Sequence, residues 1–215
     1  GMGNALVDVL AVIDNDNLLE QLGLPKGSMQ LIDENQFHKI STEINKLDTN
    51  VVSGGSASNT IIGLARLGVH TGFIGRIGKD SFGKHFKDDL KKYGVESHLT
   101  EVDETSGVAS TFISKDGERT FGTYLGAAAL LKANELKKSD FEGYNYFYIE
   151  GYLVQSHELI RRALVMAKDA GAKVILDMAS YNVDEENRHF LLEIIPQNVD
   201  VVFANEEEAK AMFDM

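Results

Sequence analysis

The stretch YNYFYIEGYLVQSHELIRRALVMAKDAGAKVILDM, residues 144–178, places an apolar run, an amphipathic run and a second apolar run in succession. Tyr144–Ile149 and Lys173–Met178 are nearly continuous in apolar residues, as strands buried on both faces are. Between them Leu159, Ile160, Ala163, Leu164 and Ala167 recur at helical spacing and form one apolar face. Ser156 predicts the start of that helix as a capping hydroxyl, and Gly171 its end as a residue free to turn left-handed. Glu185–Ile195 is a further helical pattern and Val199–Ala204 a further apolar run. Strands alternating with helices and joined by right-handed crossovers make a parallel sheet covered on both sides.

The rhythm extends upstream through the apolar runs Ala5–Ile13 and Thr71–Ile77 and the helical patterns Ser56–Leu67 and Ser81–Tyr93. Two stretches break it. Residues 15–33 contain Gly23, Pro25 and Gly27 ahead of the short run Met29–Ile32. Residues 107–125 read as a hairpin, Val108–Ser114 and Arg119–Leu125, turning at Lys115-Asp116-Gly117-Glu118. The expected architecture is therefore one α/β domain, a mostly parallel sheet with helices on both faces, plus a small β lid made by these two excursions. Free strand edges on such a lid also suit a homodimer. The last helical pattern, with Ala209, Met212 and Phe213 on one face, stops where another strand is expected, so the sequence reads as the N-terminal portion of a longer domain.

Composition narrows the function. The 215 residues carry a formal charge of -12, which provides no basic field for nucleic acid. There is no cysteine, hence no disulfide, thiolate metal site or cysteine nucleophile, and the six histidines show no metal-ligand spacing. No apolar run approaches the ~20 residues of a membrane span, and residues 2–13 lack the marks of a signal peptide, so a cytoplasmic location with no membrane partner is expected. Gly1 ahead of Met2 reads as a residue left by expression.

The richest motif is Ser53-Gly54-Gly55-Ser56-Ala57-Ser58-Asn59, which runs directly into a helix. Paired glycines let a backbone approach a ligand and offer it N–H groups, and Asn59 adds an amide one turn later. On its own, Gly-Gly is more often a tight turn. Asp8 stands within an apolar run; it either binds ligand hydroxyls or sits at a sheet edge or beside a Lys or Arg. Gly78-Lys79-Asp80-Ser81-Phe82-Gly83-Lys84-His85 fits a P-loop except at its last position, where His85 replaces the magnesium-binding hydroxyl, and is rejected as one.

Taken together, Asn4-Ala5-Leu6-Val7-Asp8, Gly54-Gly55 to Asn59, and Phe73 to Gly83 resemble the ribokinase-like, PfkB-type carbohydrate kinases, with Asn205-Glu206-Glu207-Glu208 matching that family's N-x-x-E motif. Asn4 to Asp8 and Gly27-Ser28-Met29 look closest to the adenosine-kinase-like branch, and Ile61 departs from the general pattern in the way that branch does. The resemblance implies ATP-dependent phosphorylation of a primary hydroxyl on a sugar or nucleoside. It implies acceptor contacts from Asp8, Gly54, Gly55, Asn59 and Glu150, with Asn205 and Glu208 arranging water around Mg2+ beside ATP, and it leaves dependence on a monovalent cation open. Asn205 and Glu208 have the spacing of a capping box as well. The family's catalytic Asp lies in a Gly-Ala-Gly-Asp segment; none occurs here, so the catalytic residue is expected beyond Met215. A binding module without catalysis is the alternative.

Overall fold

A computed structural model describes residues 1–213. Residues 144–178 form β8 (Tyr146–Glu150), α5 (His157–Asp169) and β9 (Lys173–Asp177), and β10 (Val201–Phe203) follows. These strands pair in parallel in the order β10-β9-β8. β4 (Gly72–Gly78) and β5 (Glu96–Val102) form a second parallel pair.

Residues 1–3 join the two groups. Met2 bridges Ile74 and Ile149 in parallel. Its N–H donates to the Tyr148 carbonyl at 2.8 Å and its carbonyl accepts from Glu150 N–H at 3.0 Å, while Gly3 N–H donates to the Ile74 carbonyl at 3.2 Å. Met2 is wholly buried, in one core with β8, β9, α5 and α7 (Arg188–Asn198). On the opposite face α3 (Ser56–Arg66) and α4 (Ser81–Lys92) pack Ala57, Ile61, Phe86 and Leu90 against Phe73 and Ile77. The parallel strands are thus covered on both faces at β4 and β8, whereas Val201, Val202 and Phe203 of β10 remain exposed, against the expectation from their apolar run.

A second sheet has the order β2-β7-β6-β1-β3, formed by β1 (Leu6–Val12), β2 (Met29–Leu31), β3 (Thr49–Gly54), β6 (Gly107–Ile113) and β7 (Arg119–Tyr124). Both expected excursions join it, and the hairpin turns where expected, with Gly117 at φ 86°. This sheet corrects three expectations. It is not small, having five strands. The run Ala5–Ile13 belongs to it and not to the parallel sheet: burial along β1 alternates, with Val7, Val9 and Ala11 buried and Leu6, Asp8 and Leu10 partly open. Its buried face packs on α1 (Asn17–Leu22) and on α2 (Glu34–Ile44), a helix absent from the expected pattern. Asp33 caps α2, accepting from Gln36 N–H at 2.8 Å.

The pattern over Glu185–Ile195 is split by Asn187 into α6 (Tyr181–Glu186) and α7. Ser156 precedes α5 without a side-chain cap, whereas Gly171, at φ 77°, does turn the chain out of it. α8 (Glu206–Phe213) buries Met212; the Phe213 side chain expected beside it lies outside the described residues.

Candidate functional site

Where the second sheet faces the end of β8, a cavity of about 690 Å³ opens. Asn4, Leu6, Ser56 and Glu150 line it, as do Met29 and Leu31 of β2, both exposed. Among the expected site residues Glu150 lines this cavity directly. Asp8, Gly54, Gly55 and Asn59 are not among its lining residues: Asp8 shares the open face of β1 with Leu6, which does line it, and Gly54 and Gly55 lead into Ser56, which does as well.

Asp8 and Gly54 are neighbours across the β1–β3 ladder, in which Leu6 pairs with Gly54 and Asp8 with Val52. A Cβ on Gly54 would stand 2.6–2.7 Å from the Asp8 carboxylate atoms, so the glycine is what makes room for the acid. Among the described residues no donor binds that carboxylate, which removes the reading of Asp8 as half of an internal ion pair. Burial raises its pKa. An acid that the fold desolvates and leaves without a partner is suited to receive hydroxyl donors from a ligand.

Gly55 begins α3 at φ 91°, a conformation that favours glycine, and a Cβ there would meet the Asn4 carbonyl at 2.4 Å. The buried Ser58 hydroxyl donates to the carbonyls of Gly54 and Gly55 and so locks the turn; its place in the motif is visible in the sequence, its task is not. Asn59, one turn on, is exposed.

Glu150 is 2% exposed and already engaged. One oxygen accepts from Asn4 Nδ2 at 2.7 Å and from Asn4 N–H at 3.3 Å; the other accepts from Ala57 N–H at 3.0 Å. Burial raises its pKa, opposed by these three donors. Asn4 belongs to a motif legible in the sequence, but only the folded chain gives it a role.

Asn205 and Glu208 stand apart from the cavity, at the start of α8. They form a reciprocal box: Asn205 N–H and Nδ2 each donate to Glu208 at 2.8 Å, and Glu208 N–H donates back to Asn205 Oδ1 at 3.0 Å. Beside them Asp184 is 1% exposed, and neither of its oxygens has a hydrogen-bond partner among the described residues. Burial, then repulsion from Glu208, pushes its pKa up to about 6. Nothing in the sequence singles it out, since the run Asp184-Glu185-Glu186 looks like a solvated face.

The rejected P-loop has a structural explanation. A Cβ on Gly78 would collide with the Glu104 carbonyl at 2.2 Å, and one on Gly83 with the Gly78 carbonyl at 2.0 Å. Asp80 caps α4 by accepting from Gly83 N–H at 2.8 Å, and Lys84 pairs with Asp88. Close backbone packing, not a phosphate, requires these glycines.

An α/β sheet joined to a second sheet, with a ligand-sized cavity between them and an unpartnered acid one residue pair further along β1, is the arrangement of a small-molecule-binding fold. The model of the pfkB family carbohydrate kinases matches residues 27–215, and the chain belongs to that family. It is 27% identical over 218 residues to adenosine kinase 2 of Arabidopsis thaliana, covering 98% of this chain and 63% of the plant protein. It is 24% identical over 225 residues to the guanosine-inosine kinase of Escherichia coli K12, covering 99% of this chain and 52% of that kinase. The crystal structure of adenosine kinase from Sinorhizobium meliloti superposes with a TM-score of 0.84 at 30% identity, over 100% of this chain and 66% of that one. The chain thus spans between half and two thirds of the length of these relatives.

Proposed function

We propose that this chain carries the acceptor site of an ATP-dependent kinase that phosphorylates a primary hydroxyl of a sugar or nucleoside, of the adenosine-kinase-like kind. The observation carrying this reading is the unpartnered Asp8 carboxylate against Gly54, on the same open face of β1 as Leu6, which lines the cavity of about 690 Å³. Asp8 accepts from vicinal hydroxyls, the backbones of Gly54 and Gly55 come close to the same ring, and Asn59 adds an amide. The five-stranded sheet acts as a lid, Met29 and Leu31 excluding water from the cavity when it closes. Its edge strands β2 and β3, flanked by exposed Leu31 and Val52, are the surface for a homodimer.

Glu208 and Asn205 fit magnesium only through water, because the Glu208 carboxylate is already engaged by Asn205 and hard cations favour such oxygen ligands with waters retained. When bound, Mg2+ and ATP supply the phosphoryl group and the neutralisation of its charge. The proton acceptor belongs to a Gly-Ala-Gly-Asp segment that this sequence does not contain. Residues 1–215 therefore bind acceptor without transferring phosphate.

Calorimetric titration of residues 1–215 with adenosine, guanosine and ribose tests the proposal. Saturable binding of at least one, with no phosphoryl transfer from ATP, is expected. Absence of binding to all three, or robust transfer by the purified chain, overturns it.

A further inference from the structure

A carboxylate accepts hydrogen bonds and donates none. Both Glu150 oxygens face N–H groups, so the Asn4 amide must turn its nitrogen toward Glu150 and its oxygen away. Among the described residues no donor reaches Asn4 Oδ1, and Asn4 lines the cavity. The second Glu150 oxygen meanwhile holds Ala57 N–H in the first turn of α3, directly after Gly54 and Gly55. One buried side chain at the end of β8 thereby ties together the start of the chain, the glycine turn and the cavity wall. There is no slack in the arrangement: a Cβ on Gly3 would meet a Glu150 oxygen and the Ala57 Cβ, each at 2.6 Å.

We propose that Glu150 is a positioning residue rather than an acceptor contact: it sets the amide of Asn4 so that the cavity presents an oxygen, and so selects ligands that bring a donor to that wall. The ligand half of this inference rests on the acceptor site proposed above; the amide half does not.

Glu150→Gln keeps the shape and changes the code. The introduced amide has one oxygen for three donors: turned to Ala57 it brings its nitrogen to Asn4, whose side chain then flips and presents NH2 to the cavity, while the Asn4 backbone N–H, the longest of the three bonds at 3.3 Å, loses its acceptor. Adding Asn4→Asp restores the original polarity, since the introduced carboxylate accepts from that nitrogen with one oxygen and offers the other to the ligand. Two measurements decide. In nitrogen-15 spectra of the ligand-free protein, the Asn4 side-chain amide should exchange slowly with water in the wild type and quickly in Glu150→Gln. In calorimetry with adenosine and ribose, Glu150→Gln should weaken binding by about tenfold or more, the loss of a hydrogen-bonding match, and the double variant should recover most of it.

An amide signal unchanged by Glu150→Gln overturns the clamp. Weakened binding that Asn4→Asp does not rescue, with the amide signal unmoved, makes Glu150 a direct contact and equally overturns it. If the wild type binds neither probe, the functional reading fails by itself and the ligand half with it, while the amide signal still decides whether Glu150 orients Asn4.

Discussion

Asp8 and Gly54 work as a unit, and substitutions at the two should not be independent. Asp8→Asn should keep the fold and weaken acceptor binding by about tenfold, since charge-assisted bonds to hydroxyls contribute roughly 1.5–3 kcal/mol each. Gly54→Ala should do the same from the other side, because the new Cβ takes the space of the carboxylate. The double variant should then lose much less than the sum of the two, a coupling that calorimetry on all four proteins would measure. Burial raises the Asp8 pKa, so acceptor affinity should rise with pH as the carboxylate ionises and level off above that pKa. Asp184 behaves differently, because its environment opposes its charge with little in return. A pKa raised from 3.8 to about 6 means the native state holds the proton more tightly than the unfolded chain. That contribution to stability is fully present below 3.8 and is lost as pH rises through about 6. Asp184→Asn should raise the melting temperature near neutral pH and flatten the stability profile across that window. A variant melting no higher than the wild type would show that Asp184 has a stabilising partner.

At the scale of elements, what is legible in the sequence follows from what each segment buries. β8, α5 and β9 can be read from it because Phe147, Ile149, Val174 and Leu176 of the strands and one stripe of the helix share a single apolar core. The hairpin of β6 and β7 is legible from Asp116-Gly117 alone. β1 misleads for a physical reason: Leu6, Leu10 and Val12 are apolar on its open face, toward the cavity side, and a ligand-facing apolar surface mimics burial on both sides. α2 escapes notice because Phe37, Ile40 and Ile44 are its only buried residues in an otherwise polar stretch. At the site, Asp8 and the glycines stand out by their chemical oddity, whereas Glu150 and Asn4 acquire their task only once residues 146 apart meet. If the second sheet closes on ligand, amide exchange over Val108–Leu125 should slow when acceptor binds while Lys173–Met178 changes little. Equal protection of both with and without acceptor would remove the lid.

Across the whole molecule, the two groups of parallel strands are stitched by one short segment. Cutting Met2 back to alanine should cost about 2–5 kcal/mol, the usual range for a fully buried methionine, and chemical denaturation would report it. No helix among the described residues is long and apolar enough to cross a membrane, and the charge of -12 sets any attraction for a phosphate against the field of the entire chain. Under the proposed kinase reading, nucleotide affinity would have to come from local donors and magnesium and should strengthen as salt screens that field.

The strap made by residues 1–3 also constrains the order in which the protein can be built. Met2 lies between Ile74 and Ile149, so a piece of chain synthesised early has to wait for two strands synthesised much later before it has anything to pair with. Residues 1–3 can pair with β4 once it exists, but until residue 150 is available their far edge has no strand to meet, whereas the hairpin of β6 and β7 needs only its own residues. A nascent chain in that state is exposed to mispairing, the ordinary hazard of long-range parallel strands. During refolding the amides of Met2, Ile74 and Glu150 should acquire protection together and after those of the hairpin, so that the last stitch is made with the first thread.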